Sequence, residues 1–364
     1  MLAVIGSGQA GSNIAAEAER LGLLAGAINY SQKDLDAVNV KHKLRLLGSE
    51  GVGKNRDDAI KLFQDQWETA ISFIKDNFAN EKIIAFAFSS SGGSGSGISP
   101  ILLDMAINLL PDKTFIALVI LPDLTESETA QINCLATFEE LSQLDLAVFP
   151  IDNQQIRNQN PSIGKNKLFE ISNKNATSLI YNLSSYTNKH SKNGNFDEKD
   201  LITVLKTRGI ATISETPLSA SLQTIDLTIE GLIDKITESW QKSIFAPLSS
   251  DKAISAAIVF DGQENLMDFI RLDSLFSSFH LPPIEVFEGY YHEHSGKIIT
   301  LLSGLRWSFN RLKDIELTFN NKQDQNEKLV DKSYKMNLNI SRTPFEKKQE
   351  EKVSVLDILS KYNR

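Results

Sequence analysis

Three observations predict an α/β protein built on a mostly parallel, Rossmann-like sheet, with a long central helix and a smaller mixed α+β second domain. Short apolar runs alternate with helix-length stretches across residues 1–165, the pace at which parallel strands are joined by crossover helices. Two glycine-rich segments, "GSGQAGSN" and "SSSGGSGSG", each follow such a run and open a helical stretch. From residue 210 onward this alternation gives way to four apolar runs among three helical patterns.

Taken in order, "LAVI" (2–5) and "LLAGAIN" (23–29) read as buried strands, and "HKLRLL" (42–47) as a more exposed one. "IIAFAF" (83–88), "FIALVIL" (115–121) and "LAVFPI" (146–151) complete the first set. Helical stretches lie between them at 11–21, 57–78, 98–110 and 126–142. A long helix over 166–189 stops before "KHSKNGNFD", whose Asn, Lys and Gly mark a loop. Beyond it "IATIS", "AISAAIVF", "PIEVFEGYY" and "IITLLSGL" read as strands, with helices near 224–242, 264–277 and 307–318. After residue 320 the chain turns polar, and disorder is expected. The closing "VSVLDILSKYNR" puts Val353, Leu356, Ile358 and Leu359 on one short helical face, which fits a frayed end and a partner-binding motif equally. The division that follows is 1–165, 166–209, 210–320 and a tail, 321–364.

Composition narrows the function classes. A net charge of −8 argues against general nucleic-acid binding, which depends on clustered Lys and Arg. The single cysteine, Cys134, leaves no intrachain disulfide and suits a reducing compartment. With it and five scattered histidines, no protein metal-ligand spacing arises. "MLAVIGSG" has no basic region ahead of an apolar stretch, and no run nears the roughly 20 apolar residues of a membrane span. A cytoplasmic protein without membrane contact is expected.

The glycine loops carry the chemistry. Gly6, Gly8 and Gly11 fit the dinucleotide fingerprint, and a loop between strand and helix turns backbone N–H groups toward an anion. A dinucleotide site also needs an acid at the end of the second strand. "INYSQKD" offers Asn29, Tyr30 and Ser31 there, with Asp34 too late, so a dehydrogenase is disfavoured. "GSEGVGKN" (48–55) matches a phosphate loop except at Asn55, where a Ser or Thr should ligate magnesium. Its glycines and lysine beside a helix start still favour phosphate contact. The third loop, 89–97, lies between a core strand and the apolar "ISPILLDMAINLL", which is no place for a linker. Two glycine nests in one α/β domain point to one polyphosphate held from several sides.

These residues resemble the tubulin/FtsZ superfamily. "SGGSGSG" (91–97) is similar to the signature G-G-G-T-G-[ST]-G, "GQAGSN" to the first phosphate loop, and "NGNFDEKDLITVLKTRG" (193–209) to the FtsZ synergy loop and its helix. The three motifs stand in family order across residues 2–210, and length and tail look most like the plasmid- and phage-encoded TubZ branch. The resemblance implies a GTPase using GTP/GDP and Mg2+, with Gly8, Gln9 and Ala10 on the α/β-phosphates and magnesium and Gly53 with its neighbours sensing the γ-phosphate. It implies Gly92, Gly93, Ser94, Gly95 and Ser96 as the phosphate cradle and Glu126, four residues after Pro122, on the ribose. Asn13, Asn153 and Asn173 are its candidates for the guanine edge, with Asn175 fitting nearly as well as the last.

Hydrolysis in this family is completed by the next subunit, and Asn195, Asp197 and Asp200 match the pattern of the loop that supplies its acids. From the residues alone, Asp197 and Asp200 also suit a helix cap and first turn. Ser94 stands where the signature has threonine. The expectation is a self-assembling head-to-tail filament that hydrolyses GTP and moves plasmid or phage DNA through a DNA-bound adaptor met by the tail, with no direct nucleic-acid contact. The alternatives are a phage spindle protein positioning DNA, an FtsZ-like division protein and a nucleotide-binding filament without turnover.

Overall fold

The computed structural model describes residues 2–218, 229–246, 252–264, 267, 270–293 and 295–329. Six strands, β1 (Leu2–Ser7), β2 (Leu24–Asn29), β3 (His42–Arg45), β4 (Ile83–Ser89), β5 (Thr114–Leu121) and β6 (Ala147–Asp152), fall on the six apolar runs of the first half. Neighbours pair in parallel in the order β3-β2-β1-β4-β5-β6. Apart from the edge strand β3, whose residues alternate between half-buried and exposed, the runs are apolar because both faces of this sheet are covered. Ile5, Phe86 and Phe88 feed one core, while Val4, Ala85 and Ala87 feed the other, as the two-residue period of a strand requires.

The sheet continues through β7 (Gly209–Pro217), β8 (Ser255–Asp261), β9 (Glu285–Tyr291) and β10 (Lys297–Leu305), in the order β7-β10-β8-β9. β10 runs antiparallel to both β7 and β8, and β8 pairs with β9 in parallel, so this smaller part is mixed. It joins the first part where Ala147 and Val148 of β6 meet Gly209 and Ile210 of β7.

Helices α1 (Gly8–Arg20), α2 (Gln32–Ala37), α3 (Arg56–Phe63), α4 (Trp67–Asn77), α5 (Ser94–Leu109), α6 (Glu128–Ser142) and α7 (Asn153–Gln159) connect the parallel strands. The long helix α8 (Lys165–Ser185) buries Leu168, Ala176, Ile180 and Leu183. It is followed by α9 (Glu198–Leu205), α10 (Ile229–Lys242), the short α11 (Leu272–Leu275) and α12 (Asn310–Leu329).

Several helices differ from the sequence expectation: α2 and α7 were not expected, and of the helix expected near 264–277 the described residues carry as α-helix only the four of α11. Both α1 and α5 begin inside the glycine segments rather than after them. The stretch 57–78 is two helices, because Gln66 at the break donates to Leu62 O and Leu47 O, tying the chain to the segment after β3. The last helix runs to Leu329, past the point where disorder was expected. Residues 330–364, with the face of Val353 to Leu359, lie outside the described residues. Residues 1–323 make one compact unit, and of the second, 324–364, only the helical residues up to Leu329 are described.

Candidate functional site

β1 and β4 are neighbours whose ends are level, Ser7 opposite Phe88, so the loops leaving them start side by side. β1 turns at once, and β4 after residues 90–93, into a helix whose N-terminus has no side-chain cap and no acid in its first turn. The helices α2, α3, α6, α7 and α9 do carry a side-chain cap. Uncapped first-turn N–H groups on two converging helices are an anion site by construction.

Two glycines make the convergence possible. Gly8 has φ +70°, and a Cβ there would stand 3.1 Å from Gly95 N. At Gly11 a Cβ would come within 2.0 Å of Ala87 O, so α1 lies on β4 at a distance only glycine permits.

A cleft of ≈ 330 Å3 opens above these N-termini, with Gly8, Gln9, Ala10, Gly53, Gly92, Gly93, Ser94 and Gly95 on its walls. Ser96 is turned away, its hydroxyl donating to Gly92 O, so it shapes the cradle from behind. An adjoining recess of ≈ 150 Å3 shares Ala10 and Ser89 with the cleft and holds Asn13, Glu126, Asn153 and Asn173. Asn153 is 4% exposed, and its Oδ1 has no hydrogen-bond partner within the protein. A buried amide left unsatisfied is costly, so this oxygen is suited to a donor on a ligand. Asn175 faces another cavity, on the α10 side of α8.

The rim of the recess is fixed electrostatically. Arg311 Nε bonds Asp152 Oδ1 at 3.0 Å, both side chains are nearly buried, and Arg311 also donates to Pro122 O. Burial pushes the Asp152 carboxyl above its ordinary range, and Arg311 opposes that rise. Asp123, at the same rim, is held below its ordinary value. Burial works to raise it, but bonds from Thr125 and the Arg157 guanidinium prevail.

The three candidate acid-loop residues lie elsewhere. Asp197 caps α9, its Oδ1 accepting from Lys199 N (2.7 Å) and Asp200 N (3.0 Å), while Asp200 Oδ2 accepts from Asp197 N. Asn195 is folded into its own loop, bonding Ser191 N and Ser191 O. The start of α9 is tied by Glu198 to Lys82 at 2.9 Å, and Lys82 directly precedes β4. The glycine cradle leaves the other end of β4, after Ser89. Seven residues of strand, roughly 20 Å, therefore separate the two groups along the sheet.

Lys54, the lysine expected to favour phosphate contact, lines the phosphate side of the cleft. Several other residues of the site were not assigned to it by sequence: Asn29 and Asp34 on the phosphate side, and Lys165 and Phe169 in the recess. Asn29 donates to Asp34 at 3.1 Å, so the pair set aside as a failed ribose acid belongs to the cleft. Asn133, 6% exposed, ties two loops together by donating to Lys54 O and Gly92 O, each at 3.0 Å. Its signal was a polar residue on the buried face of α6, beside Cys134 and Thr137.

Residues 1–161, which contain the whole glycine cradle, match the family described as Tubulin/FtsZ family, GTPase domain. These residues are similar to the tubulin/FtsZ GTPase domain. Tubulin-like protein TubZ of Clostridium botulinum C phage is 24% identical over 315 residues, 85% of this chain and 79% of that protein. Tubulin-like protein CetZ of Pyrococcus abyssi is 26% identical over 333 residues, covering 86% and 88%. A crystal structure of a GTPγS-form protofilament of Bacillus thuringiensis serovar israelensis TubZ has a TM-score of 0.75 at 16% identity, covering 90% of this chain and 93% of that one. The tubulin/FtsZ fold thus extends past the family match into the mixed part of the sheet. No helix among the described residues is long and apolar enough to cross a membrane.

Proposed function

We propose that this chain binds GTP in the cleft, stacks head to tail with further copies, and hydrolyses the nucleotide at a site two copies share. The observation that carries the reading is the separation of the glycine cradle and the Asp197/Asp200 loop at opposite ends of β4. One copy cannot bring its acids to its own phosphates, whereas end-to-end stacking brings one copy's acid loop to the next copy's cleft. Such a contact is heterologous and does not close on itself.

The assignments are those the family resemblance implies, and the grouping of these residues in the cleft and the recess supports them. Uncapped N–H groups of α1 and α5, with Ser94, take the phosphate chain; Glu126 takes the ribose; Asn13, Asn153 and Asn173 take the guanine edge. Asp34 and Gln9 supply oxygen donors on the phosphate side. Mg2+, which takes oxygen ligands from a carboxylate and phosphates, fits there and would neutralise developing charge. In the shared site a carboxylate of Asp197 or Asp200 orients a water and accepts its proton. The water oxygen bonds to the γ-phosphorus as the bond to the bridging oxygen breaks, leaving GDP and phosphate.

The role extends to segregation of plasmid or phage DNA, with residues 321–364 meeting a DNA-bound adaptor in the cytoplasm. What supports it is likeness to a phage-encoded TubZ. The test is light scattering with phosphate release after adding GTP and Mg2+, comparing the natural chain with Asp200→Ala. Scattering should rise above a threshold concentration and phosphate should follow, while the variant assembles without turnover. A natural chain that binds GTP but neither assembles nor releases phosphate would refute the filament. Assembly without turnover in the natural chain would favour a static filament, the reading to which Ser94 in place of threonine lends support.

A further inference from the structure

We propose that Tyr291 is a positioning residue for hydrolysis: with His292, it makes the end of β9 a template that aims Asp197 and Asp200 at the next copy's phosphates. The inference rests on the shared-site reading above and names residues to which that reading gives no role.

Tyr290, Tyr291 and His292, at the end of β9 and one residue past it, each bond the acid loop. Tyr290 N donates to Gly194 O at 3.0 Å, and Phe196 N donates to Tyr291 Oη at 3.0 Å. His292 Nδ1 lies 3.1 Å from Gly262 O, which can only accept, so that nitrogen carries the ring proton. His292 Nε2 is then the acceptor for Asn193 Nδ2, at 3.1 Å. The loop lies close on the strand because residue 289 is glycine. A Cβ there would stand 2.8 Å from Phe196 Cβ.

The bond to Tyr291 is the deeply buried one. Tyr291 is 1% exposed and Phe196 fully buried. Burial pushes the Tyr291 phenol above its ordinary pKa, so the hydroxyl keeps its proton and also donates, to Tyr186 O at 3.2 Å. One oxygen therefore joins the turn after α8, the strand β9 and the residue directly before Asp197. The tie from Glu198 to Lys82 is a surface ion pair, with Lys82 61% exposed, and pairs of that kind contribute little.

The acids inherit this placement. Asp197 commits Oδ1 to the N–H groups of Lys199 and Asp200, and Asp200 commits Oδ2 to Asp197 N. Among the described residues nothing bonds Asp197 Oδ2 or Asp200 Oδ1, so each carboxylate keeps one oxygen for a water. Turning either side chain would break the cap of α9. The aim of the free oxygens is thus set by where the backbone at 196 and 197 is pinned, and Tyr291 pins it. Misplacing a reacting group by about 1 Å costs on the order of 100-fold in rate.

The experiment compares the natural full chain with Tyr291→Phe and Asn193→Ala by GTP titration, light scattering and phosphate release per assembled chain, with GTP and Mg2+. Phenylalanine keeps the ring against Tyr186, 5.0 Å between centroids, and removes only the hydroxyl. Y291F should bind GTP within about twofold of the natural chain and assemble at a threshold within about threefold, because the cradle lies at the other end of β4. Its release per assembled chain should fall at least about 10-fold, a loss confined to the chemical step. N193A removes an exposed tie, leaves the core intact, and should lower the same rate about threefold, which tests the template even if Y291F does not fold. A parallel loss of binding, assembly and release in Y291F would make Tyr291 a residue of the fold alone and overturn the proposal. So would the natural rate per assembled chain in either variant, with the shared site left standing. A natural chain that assembles and releases no phosphate would refute the shared site itself, and the template with it.

Discussion

Replacing Arg311 with methionine removes the guanidinium that bonds Asp152 and Pro122 O at the rim of the recess. The side chains are 5% and 3% exposed, so the carboxylate left behind has almost no access to water. It retains the N–H of Gln154 at 3.1 Å, which is partial compensation. Breaking a pair this deeply buried by removing one partner costs about 3–5 kcal/mol. Against a whole-protein stability of about 5–15 kcal/mol that is a large fraction.

The penalty should depend on pH with a definite sign. Burial already raises the Asp152 pKa in the natural chain, and without Arg311 it rises further. A carboxyl raised above its unfolded value, about 3.9, loses stability as pH climbs through the window between the two values. The variant's deficit should therefore be small near pH 4 and fullest near neutrality. Urea unfolding at several pH values measures it. A deficit below about 1 kcal/mol at pH 7, or one unchanged between pH 4 and 7, would refute the account of the pair. Pairing R311M with Asp152→Leu should recover part of the loss, limited by Pro122 O and the Gln154 N–H, which then lack partners.

Three further outcomes are expected. Asn173→Ala should weaken GTP binding about 5- to 150-fold, by the about 1–3 kcal/mol of a lost ligand bond, while Asn175→Ala stays within about twofold in the same titration, because Asn175 faces the other cavity. Gly11→Ala should lower stability by at least about 1–3 kcal/mol in urea and weaken GTP binding, since its Cβ would stand 2.0 Å from Ala87 O. Cys134 is fully buried with its thiol pushed up to about 12 by burial, so a thiol reagent at pH 8 should leave the folded chain unmodified and label it only on unfolding.

How much of this was legible follows from what kind of signal each element emits. The strands of the first half are buried on both faces, so "IIAFAF" and "FIALVIL" announced themselves as unbroken apolar runs. The starts of α1 and α5 did not, because glycine and serine are poor helix formers and only contact between the two loops makes them helical. At six and seven residues, α2 and α7 are too short to display a helical period. The break between α3 and α4 depends on bonds from Gln66 to the distant Leu47, which no local pattern encodes.

The site divides in the same way. Gly8, Gln9, Gly92 and Gly95 could be named because backbone approach demands particular residues at particular spacings. Lys54 was legible as a phosphate contact, but its meeting with Glu126 and the tie that Asn133 makes between two loops join residues tens of positions apart, which only the fold brings together.

The two edges of the sheet constrain how copies of this chain could meet. At one edge β3 is only four residues long and turns Lys43 and Arg45 to solvent. At the other, β9 carries Glu285 and Glu288, and its far end is occupied by the acid loop, with Tyr290 N donating to Gly194 O at 3.0 Å. Short, charged or covered edges resist the addition of a further strand. Copies arriving side by side find no ladder to extend, and association is steered away from a shared β-sheet toward the ends of the strands. Growth of that kind would leave each sheet intact, add no backbone pairing between copies, and come apart one whole protein at a time.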